Sequence, residues 1–242
     1  MMDSETEAHL RGMLTDRLRA VEGRMEAACR RAGRNCSEIT LVAVTKTVTA
    51  EVAALLPSVG VNDLGESRPQ ELWRKAGLLP KSIRWHQVGH LQRNKIADTL
   101  PLVHVIHSVD SARLLSAIES EAAKQNRNVN VLLEVNVSGE TSKHGFKPHE
   151  ITRAMELIPQ LSHVRITGLM TMAVLEEDPE RCRPTFVELR QLRDQWGSQF
   201  TPPHHLDHLS MGMSNDFEVA IEEGATMVRL GTVLFEGLSQ SS

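Results

Sequence analysis

ITLVAVTK, residues 39–46, sets Leu41, Val42, Ala43 and Val44 in one unbroken apolar run, then closes on Thr45 and Lys46. A strand with one wet face alternates apolar and polar residues. A run without alternation suits a strand buried on both faces, as in a parallel sheet. Seven more runs of this kind follow: VGVNDLGES (59–67), SIRWHQVGH (82–90), LVHVIHSVD (102–110), VNVLLEVNVS (129–138), VRITGLMTM (164–172), HHLDHLSMG (204–212) and MVRLGTVLF (227–235). Helical patterns separate them: Ser67 to Ala76, Leu91 to Leu100, Ser111 to Lys124, Pro148 to Ile158, Pro179 to Trp196 and Ser214 to Glu223, with a shorter helix at ALLPS after Thr49. Eight strands alternating with helices predict the α/β class and a closed (β/α)8 TIM barrel. An open doubly wound sheet is the rival. Its dinucleotide-binding form loses support because the first strand–helix turn has no G-x-G-x-x-G.

Ahead of the first run lies a long helical pattern. Ser4 and Glu7 have capping-box spacing, and Leu10, Met13, Leu14, Leu18, Val21, Met25 and Ala28 form one apolar stripe that ends near Gly33. The expectation is therefore a barrel with an extra N-terminal helix, one domain over 1–242, with only the closing LSQSS loose. With 24% charged and 40% hydrophobic residues and a net charge of −4, nothing global attracts nucleic acid or an anionic membrane. The acidic start MMDSETEAHL does not read as a targeting peptide, and no apolar run approaches the roughly 20 residues of a membrane helix. Cys29, Cys36 and Cys182 form no CxxC and leave an odd count, which points to a reducing cytoplasm.

In a TIM barrel the loops at the carboxyl ends of the strands build the active site. Lys46 stands at the first such end. Apolar walls around its amine would favour the neutral form, a nucleophile toward aldehydes; the plain alternative is a solvated lysine. LSMGMSNDFEVAIEEG, 209–224, reads as a strand end, a small-residue loop and a helix capped by Ser214 or Asn215, with Asn215 and Glu218 at capping-box spacing and Gly224 as the stop. Backbone N–H groups there, serine hydroxyls and a close approach at Gly212 suit an anion; an ordinary capped helix is the alternative. Arg229 lies inside an apolar strand and needs acceptors, for which a structural salt bridge is the plain answer; Gly231 and Thr232 follow it. Closing the barrel sets strand 1 beside strand 8 and strand 8 beside strand 7. The loops after strands 7 and 8 are the frequent phosphate site of this fold. A ligand with a phosphate and an aldehyde would satisfy all three features, and pyridoxal 5′-phosphate (PLP), which lysine holds as a Schiff base, is one.

AVTKTV, GESRPQEL, WHQVGHLQRNK, LLEVNVSGETSKHGF, GLMTMA and LSMGMSNDFEVAIEEGATMVRLGT together resemble the YggS/PROSC family of PLP-binding, or PLP homeostasis, proteins, from about residue 5 to residue 237. The resemblance implies a fold type III barrel related to the N-terminal domain of alanine racemase, with PLP covalent on Lys46. It implies that Ser210, Met211, Gly212, Met213 and Ser214 form the phosphate loop, and that Gly231 and Thr232 form its second half. It places Arg229 at the pyridine nitrogen, His86 and Gly89 in a strand-3 segment near the cofactor, and Asn62 on strand 2. The family reads GEN at Gly65-Glu66-Ser67, WHF at Trp85-His86-Gln87 and KSG at Lys143-His144-Gly145, so a side-chain role for that asparagine is in doubt here.

Alanine racemase uses a tyrosine from a second domain as its opposite-face acid–base group. This chain has no tyrosine, and the sequence predicts no second domain. An arginine at the ring nitrogen would also keep that nitrogen unprotonated and weaken the electron sink. The expectation is a monomeric cytoplasmic carrier that buffers PLP or delivers it to PLP-dependent apo-enzymes, affecting amino-acid and keto-acid balance, with no catalytic residue assigned. A weak PLP-dependent racemase or lyase is the alternative. A cofactor-free Schiff-base enzyme acting on a phosphorylated aldehyde is the third reading. His204, His205 and His208 in HHLDH lack a second ligand cluster, so no metal site is expected. The ten methionines read as core filler.

Overall fold

The computed structural model describes residues 3–137 and 144–238. Lys143 and the tail beyond Leu238 lie outside them. Helix α1 (Ser4–Ala32) is capped by Asp3 rather than by a Ser4–Glu7 box: the Asp3 carboxylate accepts from Thr6 N at 2.8 Å. It ends where Gly33 turns left-handed (φ 65°) and returns its N–H to Arg30.

The eight apolar runs each supply one strand. In chain order the elements are β1 (Thr40–Val44), α2 (Ala50–Ala53), β2 (Asp63–Glu66), α3 (Pro69–Leu78), β3 (Arg84–Gln87), α4 (Ile96–Thr99), β4 (Val103–Val109), α5 (Ala112–Lys124), β5 (Val129–Glu134), α6 (Ile151–Leu157), β6 (Val164–Met170), α7 (Arg183–Trp196), β7 (His208–Ser210), α8 (Phe217–Glu222), β8 (Met227–Leu230) and α9 (Thr232–Phe235). The strands pair in parallel, each with its successor, and β8 pairs with β1 through Leu41–Val228 and Val42–Arg229 to close a barrel. Three expectations shift. MVRLGTVLF is strand only to Leu230, because Gly231 breaks the ladder and Thr232–Phe235 winds into a helix. Leu91 to Leu100 yields a 3-10 turn and a short helix. The helix expected from Ser214 begins at Phe217. There Asp216 accepts from Met213 N, while Asn215 turns away to donate to the Glu176 carbonyl at 2.7 Å, so the Asn215–Glu218 box does not form.

Leu72, Leu115, Ile118, Phe186 and Phe217 belong to one continuous apolar core between strands and helices. Burying each such side chain is worth about 1.5–3 kcal/mol. Helix α1 packs on α8 and α9, over the seam where β8 meets β1. Arg34 donates to the Ile221 and Ala225 carbonyls at 2.7 and 2.9 Å, and the Arg24 guanidinium lies 4.5 Å from the centre of the Phe217 ring. Among the described residues, no helix is long and apolar enough to cross a membrane.

Candidate functional site

The carboxyl ends of the strands enclose a cavity of about 1010 Å³. Lys46 and Thr47 enter it from β1, Glu134 from β5, Met213 and Ser214 from the loop after β7, and Arg229, Gly231 and Thr232 from β8 and the turn beyond. The three features separated in sequence by up to 186 positions thus share one wall, because β8 closes onto β1.

A buried clamp under β1 aims Lys46. Lys75 of α3, 1% exposed, donates to the Thr45 carbonyl at 2.6 Å and pairs with Glu66 at the end of β2. Thr45 Oγ1 donates to the same Glu66 Oε1 at 2.7 Å. Lys46 itself is exposed, and its amine has no hydrogen-bonding or ionic partner among the described residues. Lys46 is thus not enclosed, although Val44, Val88 and Val233 line the same cavity.

The anion-binding groups are arranged more narrowly than the sequence suggested. Ser214 Oγ accepts from Gly231 N and Val233 N, both at 3.3 Å, which gathers a hydroxyl and two backbone N–H groups at one point. Gly212 has φ 92°, and a Cβ there would lie 2.6 Å from the Ala220 side chain and 3.0 Å from Phe217 Cα, so glycine lets the loop fold back on α8. Met211 is buried, and its N–H serves the Met227 carbonyl. Ser210 is fully buried, and its Oγ is held by Arg229 and His107, facing away from the phosphate-ready point.

Arg229 is 5% exposed. Its NH1 donates to Ser210 Oγ at 2.5 Å and its NH2 to the Thr171 carbonyl at 2.9 Å. Among the described residues no carboxylate pairs with it, so the expected structural salt bridge is not made. Burial pushes its pKa down to about 10, against the pull of Asp216 and Glu134, and it remains charged at neutral pH. A buried guanidinium bonded only to neutral acceptors at a cavity wall is poised for an anion or a ring nitrogen.

Asn62 and His86, like Ser210 and Met211, are not brought to this wall. Asn62 precedes β2, its carbonyl accepts from Arg84 N at 2.9 Å, and it lines a second cavity of about 430 Å³ at the amino ends of the strands. β2 ends at Glu66, at the carboxyl end of its apolar run, so Asn62 lies below the strand and Ser67 occupies the upper rim. His86 is buried inside the barrel between Asp63 and His107.

Glu134 was missed in sequence, where it is one charge closing the run VNVLLE. It is 5% exposed in the cavity, and burial, with the nearby Asp110 charge, raises its pKa to about 7. His90, Asp110 and His144 were missed as well: their ligand-type atoms lie within 4.8 Å of one another at the rim, with His90 Nδ1 3.0 Å from Asp110 Oδ2. The two imidazoles stack with ring centres 4.5 Å apart, and His144 Nδ1 lies 3.8 Å from Asp110 Oδ2. They come from three different loops, and no local spacing announces them.

The chain matches the family described as alanine racemase, N-terminal domain, over residues 18–239. It is 44% identical over 223 residues to the pyridoxal phosphate homeostasis protein of Aquifex aeolicus, which covers 91% of this chain and 96% of that one. Among solved structures, an unknown protein from Bifidobacterium adolescentis superposes with a TM-score of 0.89 at 36% identity, over 97% of this chain and 98% of that one. PipY of Synechococcus elongatus with PLP bound superposes with a TM-score of 0.78 at 30% identity, over 92% and 99% of the two chains.

Proposed function

The chain belongs to the pyridoxal phosphate homeostasis protein family, on the alanine racemase N-terminal-domain fold, and from that premise we propose that it binds PLP in the upper cavity and serves its intracellular homeostasis. When bound, PLP supplies an aldehyde and an electron-withdrawing ring. Lys46 Nζ would hold the aldehyde as a Schiff base. Ser214 Oγ, with the N–H groups of Gly231 and Val233, would hold the phosphate. Arg229 would face the ring nitrogen. The observation that carries this reading is the shared wall: an unpartnered lysine amine, a hydroxyl that gathers two N–H groups and an unpaired buried guanidinium line one cavity of about 1010 Å³.

Storage and delivery, to PLP-dependent apo-enzymes in the cytoplasm and by a monomer, is favoured over catalysis. Arg229 stays protonated at neutral pH and would donate to the ring nitrogen, leaving the ring a weak electron sink. The chain has no tyrosine to act from the opposite face. Cys29 and Cys182 are pushed up to about 11, chiefly by burial, and none of the three cysteines lines the cavity. One observation favours a second reading, weak racemase or lyase activity: Glu134 titrates near neutrality inside the cavity, where a general acid–base is effective.

Titration with PLP followed by borohydride reduction and peptide mapping tests the assignment. Wild-type protein should develop a visible band and carry the label on Lys46. Lys46→Ala should lose the label while phosphate contacts retain weaker binding; a label that persists elsewhere with an unchanged band overturns the assignment. Absence of any PLP band, with borohydride trapping of an aliphatic phosphorylated aldehyde on Lys46, would favour the cofactor-free reading. Sustained Cα deuterium exchange of L-alanine by the loaded protein, lost in Glu134→Gln, would favour the catalytic one.

A further inference from the structure

The barrel lumen carries a continuous chain of polar side chains from one mouth to the other. Arg229 on β8 donates to Ser210 Oγ on β7. Ser210 Oγ lies 2.8 Å from His107 Nδ1 on β4. His107 Nε2 lies 2.8 Å from His86 Nδ1 on β3, and His86 Nε2 lies 3.0 Å from Asp63 Oδ1 on β2. β4 and β7 are not neighbours in the sheet, so the Ser210–His107 contact crosses the lumen. Ser210, His107 and His86 are each at most 1% exposed. Arg229 lines the upper cavity and Asp63 the lower one, so the chain joins the two.

The ends of the chain dictate where its protons lie. Arg229 can only donate. Burial alone would raise the Asp63 pKa, but hydrogen bonds from His86 and Arg84 outweigh it and bring it to about 2, so Asp63 only accepts. A neutral His86 must then carry its proton on Nε2, toward Asp63. Its Nδ1 accepts, so the His107 proton is on Nε2. His107 Nδ1 accepts in turn, from the Ser210 hydroxyl, whose oxygen takes the Arg229 N–H. Every donor in the chain points toward Asp63. One added proton changes this. His86 then holds N–H on both nitrogens, His107 must take the Nδ1–H tautomer, and Ser210 Oγ receives N–H groups from both His107 and Arg229.

We propose that Asp63, His86, His107 and Ser210 are positioning residues that aim the Arg229 guanidinium at the upper cavity, and that breaking their donor order weakens ligand binding at Arg229. The proposal rests on the reading of the upper cavity as a ligand site with Arg229 at the ring nitrogen. The titratable and charged groups facing the relay are Asp63 from β2, Arg84 from β3, His104 and His107 from β4, Glu134 from β5, His208 from β7, Asp216 ahead of α8 and Arg229 from β8. His107 is held neutral by burial, with the positive charges around it adding to the effect. The Asp63 carboxylate also takes Arg84 Nε at 2.7 Å, so it is held in place from the lower mouth. A lumen filled merely for packing would need neither this donor order nor a link between the two cavities.

Two arms test the relay. In ligand-free wild-type protein, ¹⁵N-resolved imidazole NMR at about pH 8 should place the protons of both His86 and His107 on Nε2; an Nδ1–H tautomer for His107 there overturns the proposal. This arm does not involve PLP, so it still decides the donor order if PLP binding itself fails. In PLP-loaded protein, Ser210→Ala should shift the visible absorbance maximum and raise the PLP dissociation constant about tenfold, the scale of one lost hydrogen bond to a charged group. Ser210→Thr, which keeps the hydroxyl, should restore both. A wild-type spectrum and affinity in folded Ser210→Ala would sink the proposal.

Discussion

Outside the strands, Leu72, Leu115, Ile118 and Phe186 meet helix side chains in an apolar layer with one charged pair among its fully buried members, Lys75 with Glu66. Inside the strands, at equal burial, stand His86, His107, Ser210 and Arg229, with only small apolar clusters such as Val42, Val44 and Val88 between them. TIM barrels ordinarily fill the lumen with branched apolar residues. The outer layer thus carries the stability, through area removed from water. The lumen gives up some of that in exchange for directional bonds that can orient a group at the cavity floor.

Replacing Lys75 by Met is the strongest way to break this comparison. It removes the charged exception in the outer layer and leaves the buried Glu66 carboxylate without its cation, at a cost of about 3–5 kcal/mol. Denaturant unfolding should show that loss, and the double change Lys75→Met with Glu66→Gln should recover much of it. Full stability in the single variant would mean that the pair is not what fixes the end of β1 beneath Lys46.

How far the sequence carried this picture differs between the two layers. The eight strands were legible because parallel strands buried on both faces leave unbroken apolar runs, and β1 beside β8 followed from closure. Lys46, Ser214, Arg229, Gly231 and Thr232 were legible because strand ends build the mouth. The relay was not. Asp63, His86 and His107 lie about twenty residues apart in successive runs, and no local pattern tells a lumen-facing polar residue from a rim one. Ser210 looked like a phosphate ligand because serine, glycine and serine recur in SMGMS; its position on the strand, before the chain turns out, sends its hydroxyl to Arg229 instead. The start of α8 was misplaced by three residues because Asp216, not Asn215, reaches the free N–H of Met213.

Glu134 sits where the lumen opens into the cavity and should behave as lumen, costing stability when charged. Its folded pKa of about 7 lies above the model-peptide value of 4.5. Between those two values the folded state binds more protons than the unfolded one, so stability falls as pH rises through that window and the loss is complete above about pH 7. Glu134→Gln should therefore be more stable than wild type by about 3 kcal/mol at pH 8, since each pKa unit is worth about 1.4 kcal/mol, and should show no such gain at pH 4. Thermal melts at the two pH values measure it. A gain independent of pH would place the carboxyl in water rather than in the cavity wall.

The smallest change tests where the outer layer ends. Ser111 caps α5, accepting from Leu114 N at 3.3 Å, and its hydroxyl also donates to Asp110 Oδ1 at 2.9 Å on the cavity rim. Ser111→Ala removes the cap, which is worth about 1 kcal/mol, and should lower the melting temperature by a few degrees. Asp110 keeps its contact with His90 at 3.0 Å, so the rim geometry should hold. If caps and apolar packing act on stability alone, the spectrum and affinity of bound PLP should not move. Should they move, the route runs through Asp110, whose charge already raises the Glu134 pKa. The division between a layer that stabilises and a lumen that orients would then have to be drawn inside the rim, at Asp110, rather than at the strands.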